Sequence, residues 1–309
     1  MANLKNRIKN SITRLGKYRE LAAKGYLFKL ISAIFTDFLR LPFYLIPHKG
    51  VKVVEEDWDY LIILDACRFD TFKELNDIEG KLEKRRGLGS FTTEWGNKNF
   101  DGYYDDIVYV SGNPRVCDSM IKGFKGSEHF HDVIDVWDEG WDEELETVPP
   151  GKVTPAVLEV RKKYPDKRLI IHYMQPHCPF VIRTDLNKFL PLMENPDKSN
   201  IIRRKFLKFL ASKSSEIRGL WKHTDNPWNA VKKEIIEIEE FREGHLENLR
   251  VVLKEVERLV ENLDEKTIIT SDHGELFGEF WMYGHPDGIR VKPLVEVPWF
   301  EVEMSKKVQ

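Results

Sequence analysis

The sequence predicts an α/β fold in which a mostly parallel central sheet carries helices on both faces. Three observations predict it. Short apolar runs stop abruptly at polar residues, segments with helical periodicity lie between those runs, and the two kinds alternate along the chain.

Residues 1–50 stand apart as a basic, helical amino-terminal extension. Between Lys5 and Lys49, ten Lys or Arg face only Glu20 and Asp37, a local charge of +8, so the remainder is acidic. From Tyr26 to Ile46 large apolar residues dominate, but Lys29, Asp37 and Arg40 interrupt them and argue against a spanning helix. Such a segment suits peripheral contact with an anionic bilayer, and equally suits helices packed on a catalytic domain or a second subunit.

Residues 51–309 form the second domain. Its first strand is Tyr60-Leu61-Ile62-Ile63-Leu64, which runs into Asp65, and Ile107-Val108-Tyr109-Val110 is a further candidate, ending at Ser111-Gly112-Asn113. Apolar runs of this length read as strands covered on both faces. A helix follows from Pro155 to Tyr164 with Thr154 as its N-cap. Leu169-Ile170-Ile171 is the next strand and opens into His172-Tyr173-Met174-Gln175-Pro176-His177. The stretch 186–226, basic and punctuated by Pro191 and Pro196, reads as a helical insertion. A long helix from about Asn229 to Leu263 is marked by Ile235, Ile238, Phe241, Leu246, Leu249, Val252, Val256 and Leu259 at helical intervals. Thr267-Ile268-Ile269-Thr270 closes the series and runs into Ser271-Asp272-His273-Gly274.

Composition sets outer limits. In 309 residues, 41% hydrophobic and 12% aromatic content fills a sizeable core, and a formal charge of −3 calls for no nucleic-acid partner. Cys67, Cys117 and Cys178 are far apart and form neither a zinc ribbon nor a disulfide framework. With no signal-peptide pattern, a cytoplasmic location is expected, peripheral at the inner membrane face if residues 1–50 lie on it.

In open α/β sheets ligands bind beyond the carboxyl ends of strands, which singles out Asp65, His177, Asp272 and His273. A carboxylate oxygen and a neutral imidazole nitrogen are both good donors to zinc or manganese. Asp272 and His273, adjacent on a strand-to-loop turn, can reach one ion, and Gly274 lets backbone approach closely. Each residue alone also has an ordinary use, Asp65 as a turn or cap residue and His177 as a packing residue.

Three segments then resemble a known family. Thr270 to Pro286 (TSDHGELFGEFWMYGHP) resembles the carboxyl-terminal metal motif of sulfatases, lipoteichoic acid synthases and phosphoethanolamine transferases, in the sulfatase-like branch of the alkaline phosphatase superfamily. Leu61 to Asp70 (LIILDACRFD) is similar to their first strand, and Ile170 to Phe180 (IIHYMQPHCPF) to the strand whose terminal His meets the substrate group. The motifs occur in the family's order over most of residues 57 to 300.

The resemblance implies an alkaline-phosphatase-like fold and a metal-dependent hydrolase or transferase of phosphate, less readily sulfate, esters. It implies one divalent ion, zinc or manganese with calcium as an alternative, held by Asp65, Thr92, Asp272 and His273. Thr92, in Gly89-Ser90-Phe91-Thr92-Thr93-Glu94-Trp95, would be the nucleophile that forms a covalent intermediate, with Thr93 and then Ser90 as alternatives. His177 and His285 would hold substrate oxygens, protonate the leaving group, or bind a second ion. The formylglycine signal Cys-x-Pro-x-Arg is absent, which speaks against true sulfatase activity. The substrate expected is a phosphate or sulfate ester, lipid- or glycan-linked if residues 1–50 are interfacial. The alternative from another class is a non-catalytic metal-binding or assembly module of the same fold. Cys67 is expected as a small buried residue, Arg68 as a partner of Asp70 or a nearby carboxylate, and His172 as facing either core or site.

Overall fold

A computed structural model of the chain describes residues 49–117, 124–187 and 236–303, with isolated positions elsewhere. Backbone contacts divide the chain into Met1–His48 and Lys49–Gln309. The basic extension and the insertion at 186–226 lie almost wholly outside the described residues. Among the described residues no helix is long and apolar enough to cross a membrane.

The strands are β1 (Tyr60–Asp65), β2 (Gly80–Arg86), β3 (Tyr104–Ser111), β4 (Val116–Cys117), β5 (Phe124–Lys125), β6 (Phe130–Asp135), β7 (Arg168–Pro176), β8 (Thr267–Thr270), β9 (Leu276–Phe277), β10 (Tyr283–Gly284) and β11 (Glu296–Val302). The helices are α1 (Phe69–Leu75), α2 (Thr92–Asn99), α3 (Val136–Gly140), α4 (Pro150–Lys163), α5 (Thr184–Asn187), α6 (Ile238–Val260) and α7 (Lys292–Val295). Seven strands form the central sheet in the order β2-β11-β8-β1-β7-β3-β6. β1 pairs in parallel with β7 and β8, β3 in parallel with β6 and β7, and β11 runs antiparallel between β8 and β2. The sheet is therefore mostly parallel, as the alternating sequence pattern requires.

Burial on both faces explains the apolar runs. Tyr60, Ile62 and Leu64 face one core cluster, with Val153, Val157 and Val160 of α4 and Leu249, Val252, Val256 and Leu259 of α6. Leu61 and Ile63 face the other, with Trp95 and Phe100 from α2 and its C-cap and with Phe130 of β6. Each fully buried aliphatic side chain contributes about 2 kcal/mol, so β1 is a main anchor of the sheet.

Three boundaries differ from expectation. Helix α4 begins at Pro150 rather than Pro155, because Pro149 and Pro150 occupy the N-cap and first turn, where a missing N–H costs nothing. Thr154 is then no cap; its hydroxyl hydrogen-bonds the Tyr173 hydroxyl at 2.9 Å inside the core. Strand β7 continues past Ile171 to Pro176, since His172 and Gln175 are buried in the sheet with polar partners of their own. The long helix starts at Ile238, where Glu237 and Glu240 form a reciprocal capping box.

Candidate active site

The site grows from the carboxyl ends of β1, β7 and β8 together with the first turn of α2. β1 ends at Asp65, and a register shift after Leu64 sets Asp65 opposite Pro176, so the His177 N–H donates to the Asp65 carbonyl at 3.1 Å. β8 ends at Thr270, and the turn beyond it carries Ser271, Asp272 and His273, all buried. Ser271 ties the two strand ends together: its Oγ accepts the Cys67 N–H at 2.9 Å and lies 2.6 Å from the Leu64 carbonyl. Gly274 follows because a Cβ there would collide with the Pro293 carbonyl.

Helix α2 delivers the hydroxyl. Its N-cap is Phe91, without a side-chain cap, so Thr92 occupies the first helical position and does not spend its hydroxyl on capping. Thr92 Oγ1 lies 3.5 Å from His273 Nε2. Gly89 lets the preceding loop press against the Trp95 backbone where no side chain would fit.

Asp65, Asp272 and His273 converge so that one donor atom of each lies within 4.8 Å of the others. His273 Nε2 is 3.6 Å from Asp65 Oδ1 and 3.4 Å from Asp272 Oδ2. The rear atoms of the same groups are occupied. Asp65 Oδ2 accepts from Asn113 Nδ2, and Asp272 Oδ1 accepts the Ala66 and His273 N–H groups at 3.1 and 2.9 Å. His273 Nδ1 donates to the Gly274 carbonyl at 2.8 Å, which leaves Nε2 as the lone-pair nitrogen facing the cluster.

Asp65 Oδ1 and Asp272 Oδ2, the forward atoms, are buried without a hydrogen-bond partner. Two carboxylates in this position repel each other. Burial first, and then the charge of Asp272, pushes the Asp65 carboxyl well above its ordinary range. Burial and the neighbouring His285 push His273 well below its ordinary value, so its imidazole is neutral. Unpaired hard oxygens beside a neutral imidazole and a hydroxyl are the donor set of a divalent cation, so these residues fit such an ion.

A second cluster adjoins the first. His177, Glu275 and His285 bring one donor atom each within 4.8 Å of one another, and the His285 ring lies 4.6 Å from the His273 ring. His285 Nδ1 contacts both Glu275 oxygens, at 3.1 and 3.2 Å. Burial opposes its charged form, but Glu275 outweighs burial and raises the His285 pKa; in return His285 lowers that of Glu275. His177, whose Nδ1 contacts the Cys178 carbonyl, is also raised, against the opposing effect of burial.

The alternatives left open in the sequence now have places. Ser90 is fully buried and its hydroxyl lies 3.0 Å from Glu94 Oε2, while Thr93 is half-buried one step along the helix. Arg68 pairs with Asp70 at 2.6 Å and with Glu279, and lies over the Phe277 ring. Cys67 and Cys178 are free and buried. His172 faces the back of the site: Nδ1 meets the Tyr109 hydroxyl at 2.8 Å, and Nε2 lies 4.0 Å from Asp272 Oδ2. Asn113 and Glu275 were not singled out by the sequence, although Asn113 stands three residues past the apolar run that ends at Val110 and Glu275 two residues past His273.

No family model matches the chain, and no curated protein matches it either. Solved structures do. The soluble domain of lipooligosaccharide phosphoethanolamine transferase A from Neisseria meningitidis is 14% identical, with 79% of this chain and 75% of that one covered and a TM-score of 0.48. The integral membrane form of that transferase is 15% identical at a TM-score of 0.47; 93% of this chain is covered, but only 59% of that one. The C-terminal periplasmic domain of EcEptC from Escherichia coli, in complex with zinc, is 11% identical over 84% of this chain and 76% of that one, with a TM-score of 0.46. The solved structures to which this chain is similar thus include phosphoethanolamine transferases, one of the groups that its three sequence motifs resemble.

Proposed function

We propose that the protein is a metal-dependent phosphoryl- or phosphodiester-transfer enzyme that works through a covalent intermediate on Thr92. The observation that carries this is the pair of buried, unpartnered oxygens, Asp65 Oδ1 and Asp272 Oδ2, facing the lone-pair nitrogen of His273 beside the Thr92 hydroxyl. Asp65, Asp272 and His273, with Thr92 as fourth donor, would hold one divalent ion, zinc or manganese. When bound, such an ion supplies Lewis-acid polarisation and favours the alkoxide form of a neighbouring hydroxyl.

Thr92 Oγ1 attacks phosphorus in line, its proton passing to solvent, and the new Oγ1–P bond forms as the bond to the leaving oxygen breaks. The amino-terminal end of α2 favours the developing negative charge. His285 and His177, whose pKa values are raised, hold the anionic oxygens and give a proton to the leaving oxygen. In the second step an acceptor hydroxyl or water loses its proton to the same imidazole and attacks phosphorus, and Thr92 is released and reprotonated. Asn113 and the Ala66 N–H keep the two carboxylates oriented throughout. Glycan or lipid linkage of the substrate would follow if residues 1–50 engage an anionic bilayer.

Turnover of nitrophenyl phosphate mono- and diesters, with zinc, manganese or calcium added, tests the proposal. Thr92→Ala should lower kcat by on the order of 10³-fold or more while metal binding persists. Activity retained in that variant would move the nucleophile to Thr93 or Ser90. Metal binding without turnover on any ester would favour the non-catalytic alternative.

A further inference from the structure

Thr92 and His285 come from chain segments almost two hundred residues apart, yet the proposed reaction needs them fixed relative to one another. A buried polar cluster joins the two segments. Glu94, two residues past Thr92 on α2, accepts from Arg290 Nη2 at 2.9 Å, and Lys98 Nζ approaches the same oxygen. Its other oxygen accepts the Ser90 N–H at 2.9 Å and lies 3.0 Å from Ser90 Oγ. Ser90 Oγ in turn accepts the Gly288 N–H at 3.2 Å and lies 3.4 Å from the Pro286 carbonyl. Lys98 closes the ring by donating to the Leu88 carbonyl at 2.9 Å.

The side chains of Glu94 and Arg290 are only 12% and 14% exposed, so this is not a solvated surface pair. The Glu94 and Ser90 contacts join the first turn of α2 and the loop that leads into it to residues 286–290, which begin immediately after His285, and Lys98, in the last turn of α2, ties that helix back to the same loop. None of these groups belongs to the two clusters of the site. The sequence offered no role for either charge.

We propose that Glu94 and Arg290, acting through Ser90, are positioning residues that brace the nucleophile's helix turn against the segment carrying His285. The inference rests on the reading of Thr92 as nucleophile and His285 as proton donor. Loss of the brace shifts Thr92 but leaves the other three proposed donors, Asp65, Asp272 and His273, in place, because they are held by Asn113, the Ala66 N–H and the Gly274 carbonyl. It frees the in-line geometry instead. A misplacement near 1 Å costs up to about 10²-fold in rate. The signature is therefore a fall in kcat with little change in KM or in metal affinity.

The test compares the full chain with Arg290→Met, Arg290→Lys and Glu94→Gln on a nitrophenyl phosphodiester. Metal affinity is titrated calorimetrically with zinc, and phosphorylated Thr92 is followed by intact mass after rapid quenching. Arg290→Met and Glu94→Gln should each lower kcat and the rate of Thr92 phosphorylation by about 10- to 100-fold, with KM and the zinc Kd within about threefold. Arg290→Lys, which keeps one contact to Glu94, should recover most of the loss. Because Arg290→Met leaves a buried carboxylate short of a partner and risks unfolding the turn, the nearly isosteric Glu94→Gln carries the same expectation independently. Unchanged kcat in a folded Glu94→Gln, with the parent enzyme active and Thr92→Ala inactive, overturns the brace and leaves the proposed function standing. A raised KM in Arg290→Met alone also overturns it, since Arg290 would then be a substrate contact. A parent chain that neither turns over nor becomes phosphorylated overturns both readings.

Discussion

The two clusters at the end of the sheet use similar residues to opposite electrostatic ends. In the Asp65–Asp272–His273 cluster every rear atom is hydrogen-bonded and the forward oxygens of both aspartates are left without a hydrogen-bond partner. In the His177–Glu275–His285 cluster the carboxylate is neutralised inside the group, because Glu275 and His285 contact each other directly. On the proposed function the first is completed by a cation, whereas the second presents imidazoles of raised pKa to the substrate. The difference teaches that the identity of donor residues does not decide between metal site and anion site. What decides is whether the back of the cluster supplies the opposite charge.

Removing one member from each side tests this comparison most sharply. Asp272→Ala should weaken zinc or manganese binding by more than about 10²-fold and abolish turnover, since it deletes an inward-facing oxygen and an anchor for the Ala66 N–H. His285→Ala should lower kcat by about 10²-fold yet keep the metal Kd within about threefold. Equal losses of metal affinity in the two variants, by calorimetric titration, would mean that both clusters hold metal and that the contrast is false. A smaller effect is expected at Asn113, which touches only the rear oxygen of Asp65. Asn113→Ala should weaken metal binding by roughly tenfold, the usual scale for a partner that orients a ligand, without changing the pH profile set by the imidazoles.

Much of this was legible in the sequence, for identifiable reasons. β1 and β8 were visible because strands covered on both faces must be continuously apolar, and Asp65, Asp272 and His273 because the polar residues after such runs lie at the sheet's binding edge. β2 was not visible: GKLEKRR is an edge strand whose charges protect an open edge, and its pattern reads as loop. β11 was hidden by Pro298 within it, and β6 by its mixed burial. Asn113 and Glu275 could not be assigned because their roles depend on which strand lies beside which. Neighbourhood in a sheet ordered β2-β11-β8-β1-β7-β3-β6 is not written in local periodicity. The same holds for Glu94 and Arg290, whose pairing is a fact of tertiary packing alone.

The smallest expected effect concerns stability against pH, and it separates the clusters by sign. Asp65 has a folded pKa raised above its ordinary 3.8 by burial and by Asp272. A raised carboxyl favours the fold while protonated, and that contribution is lost as pH rises through the folded pKa. His285, raised above 6.5 chiefly by Glu275 against the opposing effect of burial, likewise contributes below 6.5 and loses that contribution as pH rises through its own folded value. Glu275 goes the other way: lowered from 4.5, it contributes above 4.5 and loses this as pH falls. Metal-free protein should therefore lose thermal stability as pH rises above the ordinary carboxylate range. Added zinc should offset the share that comes from Asp65 but not the share from His285, because the ion displaces the Asp65 proton and replaces the missing positive charge. The zinc-induced gain in unfolding free energy, and with it the rise in Tm, should accordingly be larger at pH 7.5 than at pH 5.5, the gain growing by up to about 1.4 kcal/mol per pH unit for each proton displaced. His273 does not blur the result, since its pKa already lies well below its ordinary value. In His285→Ala the zinc-dependent part of the profile should persist while the zinc-independent part shrinks to the share of His177, whose pKa is also raised, and in Asp65→Asn the zinc-dependent part should be lost while the zinc-independent part persists. Scanning calorimetry at several pH values reads both, and profiles that changed identically in the two variants would show that the clusters titrate as one unit and not as a cation site beside a neutralised pair.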